Sequence, residues 1–270
     1  MTTLDDLTAI QVDWAHSRGV PVDGHVAESI DANLFMPLTR NTLTDFEQSG
    51  GDELGSGGRR PGLSSLISSA ALACNVFDPW RNGHVGSLAS VVSADSSADR
   101  LRFEPPCPTG VPRSVAYPDV LLDGSAAKPT AIEVKFLEPY RGQENAFKPP
   151  YFNMPHLWDR LPGLREVAAA INAGEPSFTH LGAAQLVKHA VGISNRWDDR
   201  DWRLVYLWYE YPSAEQRAHA QELESFTAMI DGQFDFVALT WQEVFARLEL
   251  VEEPVAGHVE YLRRRYFDRS

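Results

Sequence analysis

Apolar and polar positions alternate most clearly between residues 117 and 140. Val120-Leu121-Leu122 predicts one short strand and Thr130 to Phe136 predicts a second, with a turn that begins at Asp123-Gly124. Because successive side chains of a strand point to opposite faces, Glu133 and Lys135 share one face of the second strand. The stretch therefore predicts a β-hairpin with two opposite charges on one face.

The register of this hairpin brings a second carboxylate to the same place. If Leu122 pairs with Thr130, Asp119 falls opposite Glu133. Directly opposed residues have Cβ atoms about 4.5–5.5 Å apart. Two carboxylates at that separation repel each other unless a cation lies between them. The pattern therefore predicts a metal site with an adjacent ammonium group, which is the outline of a hydrolytic centre.

The remaining pattern predicts helices and strands in alternation. Helices are expected at 1–20, 63–77, 163–173 and 180–191, and after the capping boxes Ser213-Gln216 and Thr240-Glu243. Strands are expected at 101–104, 203–211 and 234–239. This order predicts an α/β fold, an α+β mixed sheet with helices on both faces. We expect a helical and loop extension over residues 1–61 and the main domain over 62–270.

Composition and cysteine usage limit the class of protein. The chain has 270 residues, of which 43% are hydrophobic, and no apolar run approaches the roughly 20 residues of a membrane span. The acidic N-terminus lacks the positive start and apolar centre of a secretory signal. Cys74 and Cys107 form no disulfide framework, and Cys74 is expected in the core. We expect a globular cytoplasmic protein that does not bind membranes.

Pro118, Asp119, Glu133 and Lys135 together resemble the motif of the PD-(D/E)XK nuclease superfamily, the restriction-endonuclease-like proteins. The resemblance implies a central mixed sheet and Mg²⁺-dependent hydrolysis of phosphodiester bonds, with Mn²⁺ as a possible substitute. It implies that Asp119, Glu133 and the main-chain carbonyl of Val134 hold the metal. Lys135 would orient or deprotonate the attacking water, or stabilise the developing charge.

Three further stretches are similar to parts of this superfamily. Ser68 to Leu72 resembles a helix signature in a group of bacterial restriction-endonuclease-like proteins. Glu104 matches an upstream acid that often joins the metal site, although a solvated carboxylate at a strand end is the alternative. Gln185 and Lys188 lie three residues apart on a predicted helix and match groups that face the substrate, or they are ordinary helix-surface polarity. His189 has no evident ligand partner at metal spacing.

Other basic and flexible segments allow two interpretations each. The glycine-rich stretch 49–62 predicts a flexible loop, or a loop in which Arg59 and Arg60 contact phosphate and Glu53 approaches the metal. Residues 140–165 interleave arginines and lysines with aromatic residues and predict a surface loop or a nucleic-acid contact. The run 263–265 is the densest basic cluster and predicts a solvated helix face or a similar contact.

The formal net charge of −13 lowers the expectation of nucleic-acid binding, because phosphate neutralisation supplies much of such affinity. The leading hypothesis is nevertheless a DNA endonuclease of restriction type that acts on double-stranded DNA, and the resemblance implies a homodimer. The first alternative is an inactive nucleic-acid- or protein-binding module on the same fold. The second is a hydrolase that uses Asp119 and Glu133 as a metal-free acid–base pair, which Lys135 disfavours by keeping both carboxylates ionised.

Overall fold

A computed structural model of the protein describes residues 2–154, 156–198 and 200–268. The α-helices follow one another as α1 (Thr3–Ser17), α2 (Ile30–Asn33), α3 (Arg40–Gln48), α4 (Ser69–Phe77), α5 (Val85–Val91), α6 (Pro150–Asn153), α7 (Gly163–Ala173), α8 (Ala183–Arg196), α9 (Ala214–Met229), α10 (Trp241–Leu248) and α11 (His258–Leu262). Short 3₁₀ turns cover Gly62–Ser64, Asp78–Trp80 and Glu138–Tyr140, and a π-helical turn covers Arg263–Phe267.

The strands are β1 (Val22–Asp23), β2 (Val26–Ala27), β3 (Arg100–Phe103), β4 (Cys107–Pro108), β5 (Val115–Ala116), β6 (Val120–Asp123), β7 (Thr130–Lys135), β8 (Arg203–Trp208) and β9 (Asp235–Thr240). The central sheet has five strands in the order β3-β6-β7-β8-β9. Pairs β3-β6 and β6-β7 are antiparallel, whereas β7-β8 and β8-β9 are parallel. The predicted mixed sheet is therefore confirmed.

Helices cover both faces of this sheet, as predicted. Even-numbered residues of β7 pack into a core that contains α4, α5 and α10, with members such as Ile132, Leu72, Leu88 and Val244. Odd-numbered positions belong to the opposite face, where Ala131 packs with residues of α7, α8 and α9 such as Leu186. Helix α8 connects the parallel strands β7 and β8, and α9 connects β8 and β9. The face that carries Glu133 and Lys135 is thus the face covered by α8.

The hairpin has the predicted register. Leu122 pairs with Thr130 and Val120 pairs with Ile132 in the antiparallel β6-β7 ladder. All six residues of β7 are buried, because helices pack on both faces and strands lie on both sides. The two charged residues of β7 are therefore held inside the protein, where each needs a polar partner.

Two helices begin later than predicted, because side chains hold the preceding residues out of the helix. The helix expected from residue 63 begins at Ser69, since Ser65 bridges to Val26 and the Ser68 side chain caps the helix by accepting from the N–H of Ala71. The helix expected from residue 180 begins at Ala183. The Glu222 carboxylate accepts hydrogen bonds from the main-chain N–H groups of residues 179–181 at 2.7–2.8 Å.

Side chains also end the long strand early. The strand expected over 203–211 ends at Trp208, because the N–H groups of Glu210 and Tyr211 donate to the side chains of Gln242 and Tyr140.

One of the two predicted capping boxes forms. Thr240 and Glu243 exchange both hydrogen bonds at the start of α10. At the start of α9, Ser213 accepts from the N–H of Gln216 at 3.0 Å, but the Gln216 side chain donates to Glu210 instead of completing the box. The predicted return bond from the Gln216 side chain to the main chain of Ser213 was therefore wrong, because the Glu210 carboxylate takes the Gln216 amide.

The N-terminal residues pack against the main core. Leu7, Leu34 and Phe46 belong to the same apolar cluster as Phe77 of α4. The boundary placed between residues 61 and 62 stays a prediction. Across the described ranges, no helix combines the length and the apolar character needed to cross a membrane.

Candidate active site

Three acidic residues lie in one row across adjacent strands. Strand β3 pairs with β6 up to Phe103 and Val120, and the main-chain N–H of Glu104 continues the ladder by donating to the carbonyl of Asp119 at 3.0 Å. The β6-β7 register carries the row from Asp119 to Glu133. Glu104 follows β3, Asp119 precedes β6 and Glu133 is within β7, and the strand registers place the three side by side, as the hairpin pattern predicted for the last two.

Glu104 has an unusual backbone conformation at this strand end. Its φ of 42° lies in the left-handed region, which a residue with a Cβ occupies at a cost of about 1–3 kcal/mol. Two prolines follow it directly and stop the strand. Burial raises the pKa of the Glu104 carboxyl, although a hydrogen bond with Ser49 opposes the shift. A strained, buried acid at this point favours a functional interpretation over a solvated strand end.

Asp119 is tied to the neighbouring strand by its side chain. Its Oδ2 accepts a hydrogen bond from the main-chain N–H of Val134 at 2.6 Å. Burial, followed by the charge of Glu133, raises the pKa of Asp119 well above its usual range, and Lys135 only partly offsets this. The Asp119 carboxylate is thus short of positive charge in the protein alone.

Glu133 and Lys135 form a buried ion pair. The Lys135 ammonium donates to Glu133 Oε1 at 2.5 Å. Burial is the largest single influence on Glu133 and opposes its ionised form, but Lys135 and His189 together outweigh it and lower the pKa of Glu133 to about 2. The pKa of Lys135 is raised in turn, because the charges of Glu133, Glu138 and Asp119 together outweigh the opposing effect of burial. Both groups are therefore ionised at neutral pH.

Helix α8 supplies two further partners to this pair. Gln185 Oε1 accepts from the Lys135 ammonium at 3.0 Å, while the imidazole Nε2 of His189 lies 3.0 Å from Glu133 Oε2. Positions 185 and 189 are one helical turn apart and share the face that packs on the sheet. The pattern Gln-x-x-x-His was the only sequence signal that pointed to His189, and sequence reasoning missed it.

The glycine-rich loop approaches the acidic row. A Cβ on Gly51 would lie 3.0 Å from Glu104 Oε2, and one on Gly62 would lie 2.5 Å from Glu53 Oε2. Burial, followed by the charge of Glu104, raises the pKa of Glu53 to about 7. The loop therefore brings Glu53 near Glu104, and the approach of Glu53 to a metal stays a prediction.

Arg59 and Arg60 extend from the same loop into solvent. Arg59 pairs with Asp52 at 3.0 Å and Arg60 pairs with Asp23 at 2.7 Å, and both guanidinium side chains are exposed. Exposed pairs of this kind contribute little to stability. Phosphate contacts by these two arginines stay a prediction.

Lys188 packs on the segment after β7. Its ammonium donates to the carbonyl of Ala146 at 3.0 Å and lies 5.1 Å from the ring centre of Phe147. Phe147 and Tyr151 are buried in the core rather than displayed. The aromatic residues of this segment therefore serve mainly for packing.

The basic run 263–265 does not form a free basic face. Arg263 and Arg264 pair with glutamates 249 and 260. Arg265 is 1% exposed and its guanidinium contacts Asn33, Gln11 and the ring of Trp14. Both interpretations of this run were wrong for Arg265, because it is a core residue.

The carboxylate oxygens of Glu104, Asp119 and Glu133 suit a hard divalent cation such as Mg²⁺, which prefers oxygen ligands. The Oε2 atoms of Glu53 and Glu133 are buried and have no hydrogen-bond partner among the described residues. Within those same residues, however, no three carboxylate, imidazole or thiolate groups converge closely enough to hold an ion. The residues fit a cation chemically, and the carboxylates must turn toward one another to bind it.

Comparison with known families identifies one match over nearly the whole chain. Residues 10–267 match the family described as restriction endonuclease associating with ARP. No curated protein and no solved structure matches the chain. The mixed five-stranded sheet with helices on both faces agrees with the restriction-endonuclease-like fold that this family implies. The chain belongs to the family of restriction endonucleases associating with ARP.

Proposed function

We propose that the protein is a metal-dependent nuclease of the PD-(D/E)XK type that hydrolyses phosphodiester bonds in double-stranded DNA. The observation that carries the proposal is the row of Glu104, Asp119 and Glu133 across three neighbouring strands, with the Lys135 ammonium beside it. The restriction-endonuclease family agrees with this chemistry. A buried row of like charges is costly to maintain without a counter-charge, which makes a structural role alone a poor explanation.

Asp119, Glu133 and the main-chain carbonyl of Val134 would hold the cation, with Glu104 as a further ligand. Mg²⁺, or Mn²⁺ in its place, would supply a Lewis acid for the scissile phosphate and the attacking water. The raised pKa of Asp119 supports this role, because it marks a carboxylate that lacks a cation.

Lys135 acts as a fixed positive charge in this proposal. Its raised pKa keeps the ammonium protonated, and Glu133 and Gln185 hold it from two sides. A protonated, preorganised ammonium stabilises the negative charge that develops on the transferring phosphate. In this proposal Lys135 therefore stabilises negative charge and does not deprotonate the attacking water.

Gln185 and Lys188 are proposed to face the substrate. Gln185 is exposed and already contacts Lys135, and Lys188 lies one turn further along α8. With a net charge of −13, the protein has to bind DNA through a local surface, and binding should weaken as salt rises. We extend the proposal to a homodimer that cuts both strands and to a cytoplasmic location, which two free buried cysteines support.

The family description names association with ARP. We therefore propose that this protein also associates with ARP, and that the nuclease acts in that association.

Cleavage of plasmid and linear DNA tests the proposal. Wild-type protein with Mg²⁺ or Mn²⁺ should cleave DNA, and EDTA should abolish cleavage. Asp119→Ala and Lys135→Ala should each lower the rate by at least about a hundredfold. Lys128→Ala is a matched control, because Lys128 also pairs with a carboxylate, that of Asp235, but belongs to no part of the acidic row. Intact DNA across varied sequences and metals would count against the nuclease.

A second candidate is a catalytically inactive binding module on the same fold. The observation that favours it is the closed Lys135–Glu133 pair, together with the lack of a converged three-ligand cluster among the described residues. Binding of DNA or of a protein partner that does not depend on metal, without any cleavage, would support this alternative.

A further inference from the structure

The imidazole of His189 lies against the buried ion pair and makes no other polar contact among the described residues. Its Nε2 is 3.0 Å from Glu133 Oε2, and the side chain is 3% exposed. Neither ring nitrogen has a hydrogen bond of good geometry to the described part of the chain. The only polar group that a described residue presents to this histidine is therefore the carboxylate of Glu133.

The two oxygens of Glu133 have different neighbours. Oε1 accepts from the Lys135 ammonium, whereas Oε2 faces His189. A carboxylate oxygen has two lone pairs, so Oε2 can accept from an imidazole N–H and still have one lone pair for a cation. An N–H donor beside Oε2 would fix the plane of the Glu133 carboxylate and still leave one lone pair of Oε2 for a cation.

Helix α8 makes this contact rigid. The neighbours of His189 on the helix, Val187 and Ala190, are buried in the core between α8 and the sheet. Gly192 lies so close to β4 that a Cβ there would be 2.4 Å from the carbonyl of Cys107. A helix seated this tightly holds the imidazole at a fixed distance from β7.

We propose that His189 is a positioning residue that donates from Nε2 to Glu133 Oε2 and orients this carboxylate for a divalent cation. The inference rests on the proposed function, in which Glu133 is a metal ligand. Hydrogen bonds to ligating carboxylates orient them, and removing such a partner typically lowers metal affinity or activity by about 10–100-fold. His189 itself touches neither the cation nor the substrate.

Titration of the protein with Mn²⁺ in the absence of DNA tests the role. His189→Leu should lower Mn²⁺ affinity by at least about tenfold, and His189→Gln, which keeps an N–H donor, should restore most of it. Val191→Ala is the control for general loosening of α8, because Val191 is equally buried on the same helix, and it should leave Mn²⁺ affinity unchanged. Equal affinity in wild type, His189→Leu and Val191→Ala would overturn the proposal.

A second measurement separates this inference from the proposed function and does not depend on variant folding. Imidazole ¹⁵N–¹H correlation spectra of the wild-type protein should show a proton on Nε2 of His189. An unprotonated Nε2 would overturn the inference even if the enzyme cleaves DNA. If the wild-type protein binds no Mn²⁺ while Nε2 carries the proton, the proposed metal-dependent function is rejected, but the hydrogen bond from His189 to Glu133 is retained.

Discussion

The carboxylate of Asp119 accepts a hydrogen bond from the main-chain N–H of Val134 at 2.6 Å. Val134 lies between Glu133 and Lys135, so this bond ties the residue before β6 to the part of β7 that carries the buried ion pair. It gives Asp119 two separable properties. The side chain is a hydrogen-bond acceptor that supports the fold, and it is a negative charge whose raised pKa reflects burial beside Glu133.

Asp119→Asn and Asp119→Ala should separate these properties. In Asp119→Asn the amide oxygen can still accept from the Val134 N–H, and the substitution removes a buried ionisable group. The free energy of unfolding at neutral pH should therefore be unchanged or higher, while cleavage is abolished. Ala leaves a buried N–H without its acceptor and should lower the free energy of unfolding by about 1–3 kcal/mol. Urea unfolding without metal measures both. A large loss of stability in Asp119→Asn would contradict this account.

Glu53 should make the metal-free protein less stable as the pH rises. Its pKa is raised from 4.5 to about 7 in the folded protein, mainly by burial. Below the unfolded value the carboxyl is protonated in both states and contributes nothing. As the pH rises from about 4.5 through about 7, the unfolded state ionises first, and the difference reaches roughly 2–3 kcal/mol.

The comparison of wild type with Glu53→Gln isolates this contribution. Free energies of unfolding at several pH values should diverge between about pH 4.5 and pH 7, with the Gln variant the more stable at the upper end. Excess divalent metal should reduce the difference if Glu53 contacts the cation. Parallel pH profiles for the two proteins would exclude a shifted Glu53.

Arg265 should be far more important for stability than its neighbour Arg264. Arg265→Leu removes buried hydrogen bonds to Asn33 and Gln11 and the contact with the Trp14 ring. Its partners are left buried and unpaired, so we expect a loss of roughly 3 kcal/mol or more. Arg264→Leu removes an exposed pair with Glu260 and should change little. Thermal or urea unfolding of the two variants measures this difference in stability. Equal losses in Arg265→Leu and Arg264→Leu would refute the assignment of Arg265 to the core.

Gly192 should be required for the seating of α8. A Cβ there would lie 2.4 Å from the carbonyl of Cys107, which is main chain and cannot rotate away. Gly192→Ala should therefore lower stability by about 1–3 kcal/mol despite the better helix propensity of alanine. Gly142→Ala is the control, since a Cβ at Gly142 meets nothing within 4 Å. A neutral or stabilised Gly192→Ala protein would show that α8 is not packed in this way.

The hairpin could be predicted from the sequence because its signals are local. Alternation and a short connection fix which residues of β6 and β7 face each other, and Leu122 indeed pairs with Thr130. The alignment of Glu104 with Asp119 could not be derived in this way. Strand β3 is separated from β6 by the β4-β5 hairpin, so its register depends on tertiary packing.

His189 and Arg265 show where local patterns were insufficient. No sequence pattern near His189 points to its partner, because that partner, Glu133, is on another element. Arg265 lies in a basic run that is typical of a surface, yet the π-helical turn directs it into the core. Long-range contacts decide both residues, and a single sequence does not reveal them.

The most direct test of the central claim is a crystal structure of the protein soaked in Mn²⁺, with anomalous difference density used to locate the ion. We predict a peak between the carboxylates of Asp119 and Glu133, on the side of Glu104, that disappears in Asp119→Asn. The Asn variant should keep the same backbone, because its amide oxygen still accepts from Val134. Full Mn²⁺ occupancy elsewhere, with these carboxylates unmoved and no density beside them, would contradict the account.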